Sequence, residues 1–440
     1  MQTMRRRDFM KAAALSVGSL AVGPLGAVGD RRAKGPNIIL IMADDVGYEW
    51  FGCYGGKDAK TPNIDALAAT GTRFANAFSQ PVCTPTRVQI MTGRYNHRNY
   101  VSFGYLRPSE TTFANALKKL GYKTCIAGKW QLSGNADTVR HFGFDEHCLW
   151  NMHSYHKDAP KIANPKSWLK RYWSPCLCTN GAWTEHDAKT YGPDVVSDYL
   201  LDFITRNKDQ RFLCYYPMIL PHNPFTPTPD SVNRKGRGAK QNFTDMVQYI
   251  DKIVGKITAR LKKHGIADNT LVLFTGDNGT SIKITASTTG GDVKGGKSIL
   301  THAGTHVPLI AHWPDAIKKG SVCDDLIDFS DVFPTIAAAT GAMMPDDRVI
   351  DGRSFLPQIR GEKGNARKWV FCHYFGRKGR TSKGAQDAIW DHRWKLYGNG
   401  KMYDLKNDIL EKSPLSDLSG EALEARKRLA KAMATVKAGA

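Results

Sequence analysis

Asn37-Ile38-Ile39-Leu40-Ile41-Met42-Ala43-Asp44-Asp45 is the stretch that decides the fold. From Ile38 to Ala43 it is unbroken apolar sequence rich in β-branched side chains, and it ends in two carboxylates. A strand with one wet face alternates in polarity, whereas a strand buried on both faces of a parallel sheet does not. Similar runs recur at residues 123–127, 212–216, 270–275 and 307–312. Helical patterns lie between them. Pro62–Thr70 opens on proline and is followed by Gly71 where a C-cap belongs, and residues 112–120 stop at Gly121. Residues 243–264 repeat apolar side chains at Met246, Ile250, Val254, Ile257 and Leu261. Strands alternating with helices predict an α/β fold with a large, mostly parallel central sheet flanked by helices. Ligands of such sheets sit at the carboxyl ends of the strands.

Composition sets the outer bounds. The 440 residues are 41% hydrophobic and include 41 glycines, a globular share that excludes a disordered or fibrous chain. This length accommodates one large domain and a smaller one, or three ordinary ones. Lys and Arg number 62 against 41 Asp and Glu, a net charge of +21 that asks for an anionic partner. Arg5-Arg6-Arg7-Asp8-Phe9-Met10-Lys11 is followed by a weakly apolar stretch, residues 12–25, that is too short for a bilayer core of about 30 Å. With Ala27-Val28-Gly29 behind it, the segment 1–29 reads as a cleavable export signal, and its Arg-Arg-x-Phe-x-Lys core resembles a twin-arginine signal. That predicts a periplasmic or secreted protein, the twin-arginine export machinery as a partner, no stable membrane insertion and no nucleic-acid partner.

Two other regions break the rhythm. Residues 133–190 hold Trp150, Trp168, Trp173 and Trp183 with His141, His147, His153 and His156, without clear periodicity, and are expected to be a variable insertion overhanging the site. From about Arg348 the pattern shortens into strands at 369–374, 388–390 and 394–397 and a helix over 421–436, a smaller C-terminal α+β subdomain. Nine cysteines are too widely spread for a disulfide scaffold, and Cys176-Leu177-Cys178 lacks the spacing of a zinc site.

Chemistry gathers at strand ends. Asp44-Asp45 closes the first buried strand, and Asp277-Asn278 closes the run that begins at Leu271. Parallel strands bring their ends together, and four oxygen-bearing side chains favour a hard cation, Ca²⁺ or Mg²⁺, over zinc, and over the alternative that each pair only caps a helix or shapes a turn. Cys83-Thr84-Pro85-Thr86-Arg87 precedes a helix pattern whose free N–H groups suit an anion or an activated group.

Together with Cys53-Tyr54-Gly55, Thr61-Pro62-Asn63-Ile64-Asp65, Thr92-Gly93-Arg94, Gly128-Lys129-Trp130, Pro221-His222-Asn223-Pro224, Gly276-Asp277-Asn278-Gly279, Gly295-Gly296-Lys297 and Tyr403-Asp404-Leu405, these motifs resemble, in order, the formylglycine-dependent sulfatases of the alkaline phosphatase-like superfamily. The likeness runs from about residue 36 to 410 and thins across 133–190. It implies a catalytic domain over 36–345, a C-terminal subdomain over 346–440, and a sulfuric ester hydrolase acting on a sulfated carbohydrate. It implies that a maturation enzyme oxidises Cys83 to formylglycine (3-oxoalanine), whose diol is the nucleophile and passes through a covalent sulfo-enzyme. Asp44, Asp45, Asp277, Asn278 and the residue-83 oxygen would hold one Ca²⁺. Arg87 would steady residue 83, Lys129 and Lys297 would bind sulfate oxygens, and His222 would protonate the leaving alcohol.

Two positions depart from the pattern. Gln131 stands where the family usually has a histidine that acts as base, and an amide cannot take that proton. The segment after Lys297 reads His302-Ala303-Gly304-Thr305-His306-Val307-Pro308, which makes His302 and His306 candidates for a displaced base. Two other functions stay open at this point: hydrolysis of phosphoesters or phosphonates by the same machinery, and non-catalytic binding of sulfated glycans.

Overall fold

The computed structural model describes residues 35–317, 320–375 and 385–439, so the expected signal over 1–29 lies outside the described residues. Six strands lie before residue 186: β1 (Asn37–Ala43), β2 (Thr72–Phe78), β3 (Lys123–Lys129), β4 (Glu146–Trp150), β5 (Cys176–Thr179) and β6 (Ala182–Glu185). Then come β7 (Phe212–Pro217), β8 (Thr270–Gly276), β9 (Thr285–Thr288), β10 (Gly291–Lys294), β11 (His306–His312) and β12 (Ser321–Asp328). The chain ends with β13 (Val370–Tyr374), β14 (Gln386–Trp390), β15 (Trp394–Tyr397), β16 (Met402–Asp404) and a helix over Gly420–Ala438.

Ten strands form one sheet in the order β12-β2-β11-β8-β1-β7-β3-β4-β5-β6. β8, β1, β7, β3 and β4 are mutually parallel, as are β2 and β12. β11 runs antiparallel to both its neighbours, against the reading of its apolar run as a parallel strand. Apolarity reports burial and not direction: the link from β8 holds a hairpin and one four-residue helix but no crossover helix, so the chain returns the other way. The segment 133–190 also differs from expectation. It supplies β4, β5 and β6, which extend the sheet, and the long connection between β4 and β5 brings Arg171 to His222.

β1 explains why its sequence lacks alternation. Ile39, Ile41 and Ala43 pack into one layer with Val196, Leu200 and Ile204 of the helix Gly192–Arg206 and with Met246, Ile250 and Val254 of the helix Ala239–Lys263. Ile38, Leu40 and Met42 pack into the opposite layer with Val88 and Met91 of the helix Cys83–Thr92 and with Phe113, Phe333 and Ile336. Both faces are dry, so every position of β1 is buried.

The C-terminal strands form a separate antiparallel sheet in the order β13-β14-β15-β16. Phe371, Ile389 and Leu396 face Ala425, Leu429 and Met433 of the last helix. Its other face sets Val370, Cys372 and Trp390 against Phe78, Val82, Cys83 and Leu300. The small subdomain thereby backs the start of the Cys83 helix. Among the described residues no helix is long and apolar enough to cross a membrane.

Candidate active site

Register carries the site residues together. Ala43 pairs with Gly276 at the ends of β1 and β8, so Asp44-Asp45 and Asp277-Asn278 leave the sheet side by side. The Asp277 N–H donates to the Ala43 carbonyl at 2.8 Å, and the Asp45 N–H donates to Asp277 Oδ1 at 2.9 Å. Asp45 takes φ +70°, a left-handed backbone that a non-glycine residue rarely holds outside a constrained site. Lys129 ends β3, and its ammonium donates to both oxygens of Asp44 at 2.9 Å. Arg87, on the first turns of the Cys83 helix, meets Asp277 at 3.0 Å and the Lys129 carbonyl at 3.2 Å. Lys297 ion-pairs with Asp45, and His222 Nε2 lies 3.5 Å from the same Asp45 oxygen.

Cys83 is buried at the N-terminal end of its helix, where no side chain caps the free N–H groups. Its Sγ donates to Gln131 Oε1 at 2.9 Å. Gln131 too is held at positive φ, +53°, so the site aims this amide by strain as well as by contact. The charges explain the protonation states. Burial alone would raise Asp44, but Lys129, His222, Arg87 and Lys297 outweigh it and hold that carboxyl well below its usual range. Burial works against the charge on Lys297, yet Asp45, with Cys83 and Asp44, holds its ammonium above the usual value. Burial pushes the Cys83 thiol up, against the pull of Lys129 and Lys297. Burial draws His222 down to about 4, with Asp45 and Asp44 only partly opposing it.

The donor set fits a hard cation. Asp44, Asp45 and His222 place ligand atoms within 4.8 Å of one another. Asn278 donates through Nδ2 to Asp45, while its buried Oδ1 has no hydrogen-bond partner among the described residues. A buried carbonyl oxygen without a donor costs about 1–3 kcal/mol, and beside three carboxylates a cation would satisfy it.

The sulfatase family model matches residues 36–342, and a second model, described as the C-terminal part of N-sulphoglucosamine sulphohydrolase, matches 296–438. The chain belongs to the sulfatase family. It is 32% identical to N-acetylgalactosamine-6-sulfatase of Canis lupus familiaris over 78% of this chain and 69% of that one. It is 28% identical to steryl-sulfatase of Rattus norvegicus over 78% and 74% of the two chains. The solved structure of Ps i-CgsB in complex with k-i-k-neocarrahexaose superposes with a TM-score of 0.73 at 26% identity, covering 91% of this chain and 92% of that one. The reaction of this protein is the hydrolysis of a sulfuric ester.

This sulfatase brings Asp44, Asp45, Cys83, Arg87, Lys129, Gln131, His222, Asp277, Asn278 and Lys297 into one cluster. The two remaining candidates lie elsewhere. His306 Nε2 sits 2.9 Å from the Ala75 carbonyl, with its ring 4.0 Å from that of Tyr48. His302 packs edge-on against Phe78 and His306. Neither ring hydrogen-bonds to Cys83, Gln131 or Lys297 among the described residues, and burial drives both below the usual imidazole range, so the displaced-base expectation finds no support. Of the histidines of 133–190, His141 meets the Pro108 carbonyl, His153 stacks on Trp168 and His156 stacks on Tyr105, while His147 is buried on β4 with neither ring nitrogen hydrogen-bonded among the described residues.

Sequence reasoning missed Arg171 and Tyr172. The Arg171 guanidinium lies 3.1 Å from His222 Nδ1 and 4.3 Å over the Trp150 ring. The Tyr172 hydroxyl donates to the backbone carbonyls of Ile219 and His222, fixing the His222 loop. The run Lys170-Arg171-Tyr172-Trp173 was the available signal, a basic and aromatic cluster inside the aperiodic segment.

Proposed function

We propose that this sulfatase removes sulfate from a sulfated carbohydrate, using residue 83 as formylglycine and one Ca²⁺ held by Asp44, Asp45, Asp277 and Asn278 with the residue-83 oxygen. The observation that carries the reading is the pairing of two features: an unpartnered, buried Asn278 oxygen among three carboxylates, and Cys83 seated at an uncapped helix start beside them. When bound, the ion and the modified residue supply charge neutralisation and an oxygen nucleophile.

The chain's own residues do the rest. Arg87 holds Asp277 and ties the Cys83 helix to the end of β3. Lys129 and Lys297 offer two ammonium groups to sulfate oxygens, where charge builds as the S–O bond to the sugar breaks. His222, whose Nε2 lies 3.5 Å from Asp45, would pass a proton to the departing sugar oxygen, the substrate's negative charge raising it from the value of about 4 that burial gives it. Gln131 orients the residue-83 side chain through its amide. The sugar is favoured by the relative named for N-acetylgalactosamine 6-sulfate and by the neighbour solved with a neocarrahexaose, and the +21 charge suits an acidic polymer. The N-terminal motif supports export by the twin-arginine route to the periplasm or beyond, and the Cys83 motif supports a formylglycine-generating maturation enzyme as partner.

Mass spectrometry of the peptide bearing residue 83, from protein made in a host with the maturation enzyme, tests the proposal. The expected outcome is an aldehyde at position 83, and calcium bound by the wild type but lost from Asp277→Ala in elemental analysis. An unmodified thiol in an active preparation, or full calcium occupancy in Asp277→Ala, overturns it.

A further inference from the structure

A cavity of about 550 Å³ opens beside the His222 loop, lined by Trp173, Lys189, Tyr191, Asp194, Pro227 and Arg234. Its volume lies within the roughly 300–1,000 Å³ of small-ligand sites. Its cations are unpaired in a way that points to an anionic ligand. Arg234 lies over the Trp173 ring at 4.8 Å and is anchored by the Pro229 carbonyl at 2.9 Å. Neither Arg234 nor Lys189 has a carboxylate partner among the described residues. The acid in the wall does not oppose them: both oxygens of Asp194 accept from the Tyr249 hydroxyl, at 2.7 and 2.8 Å, and Lys256 lies at 3.4 Å. The Trp173 indole N–H is spent on the Pro227 carbonyl at 2.9 Å, which fixes the ring as a wall.

The same short segment joins this cavity to the reaction. Arg171 and Tyr172 hold the His222 loop, and the next residue, Trp173, lines the cavity. We propose that the cavity is a second saccharide subsite, in which Arg234 and Lys189 bind the sulfate or carboxylate of a neighbouring sugar and Trp173 contacts the ring. The proposal rests on the carbohydrate reading above. In that reading His222 faces the leaving oxygen, so the rest of the polymer lies on the His222 side, and the loop that carries His222 runs on to Pro227 in the cavity wall. It makes the preferred substrate an anionic oligosaccharide and not a lone sulfated sugar.

Binding to the turnover-blocked Cys83→Ala protein is the test, by calorimetry with chondroitin 6-sulfate, heparin and κ-carrageenan tetrasaccharides and their monosaccharide sulfates. At least one tetrasaccharide should bind about tenfold or more tighter than its monosaccharide. Adding Arg234→Ala or Trp173→Ala should abolish that difference, and in the active protein the same changes should lower the ratio of kcat/KM for the tetrasaccharide to that for an aryl sulfate. Equal binding of long and short ligands, or equal weakening of both in the variants, overturns the subsite. Failure of the active protein to release sulfate from any sugar, while it still cleaves the aryl sulfate, sinks the carbohydrate reading and leaves the length comparison in Cys83→Ala as a separate result.

Discussion

Gln131 stands where the resemblance to the family leads one to expect a histidine, and its contact with Cys83 gives that expectation a consequence. An amide oxygen can orient a neighbouring hydrogen but does not gain a proton in the working pH range. Gln131→Ala should therefore lower kcat more than it changes KM, because it releases residue 83 without touching the two lysines. Gln131→His places a group of pKa near 6.5 at the same point, and its kcat should gain a limb rising with pH through about that value. Side-by-side pH–rate profiles decide this, and an unchanged profile would mean that residue 131 exchanges no proton. Glu49 gives a second residue-scale prediction, for stability. Burial raises its carboxyl from 4.5 to about 7, and the hydrogen bond from Thr280 only partly opposes this. Below pH 4.5 the group is protonated in both folded and unfolded chains and costs nothing. As pH rises toward 7 the unfolded chain ionises first, so stability is lost, by about 3 kcal/mol once the pH is above the folded value. Glu49→Gln should melt higher than the wild type at about pH 8 and alike at about pH 4, as read by thermal denaturation.

Strands differ in how much of their placement sequence can announce. β1 and β8 were legible because both of their faces are dry and every residue had to be apolar or small. β2 escaped notice because Thr72, Arg73 and Asn76 break its apolar run, and Arg73, Ala75 and Asn76 are only half-buried. The helix Gly192–Arg206 was missed beside an aperiodic stretch, although it buries Val196, Leu200 and Ile204 on one side. In the site, the metal and sulfate residues were legible as motifs at strand ends, whereas Arg171 acquires meaning only when the chain folds it onto Trp150 and His222. The β3 end shows what such a motif demands of the backbone. Gly128 takes φ +121°, and a Cβ built there would lie 2.0 Å from the Pro217 carbonyl oxygen of neighbouring β7. Gly128→Ala must move two strand ends and with them Lys129, for about 2–4 kcal/mol of lost stability and a large loss of activity. Gly121→Ala is the control: its φ is +80° but nothing lies within 4 Å of the new methyl group, so the cost should be about 1–2 kcal/mol with activity kept. Chemical denaturation of the two variants separates crowding from backbone strain.

At the scale of the whole molecule, the C-terminal subdomain meets the loop that carries Lys297, the proposed sulfate-binding residue. That loop is gripped from the C-terminal subdomain by a buried ion pair. Lys395, on β15, donates to the Leu300 carbonyl at 2.7 Å and to Glu411 at 2.9 Å. The same Glu411 oxygen accepts from the His302 N–H at 2.7 Å, and the Tyr397 hydroxyl reaches the Leu300 carbonyl at 2.6 Å. Glu411 holds φ +55° to make these contacts, and both charged side chains are 1% exposed. Removing one partner leaves the other charge buried alone, so Glu411→Ala should cost about 3–5 kcal/mol. Removing both in Glu411→Ala/Lys395→Met takes that penalty away, and the pair should cost less than the sum of the single changes. Activity should not recover in parallel. With the grip gone, the Lys297 loop loses its fixed end in the double variant too, and kcat/KM should stay at least about tenfold down at a temperature where circular dichroism shows the fold intact. Recovery of wild-type kcat/KM in the double variant would mean that the subdomain stabilises the chain without positioning Lys297.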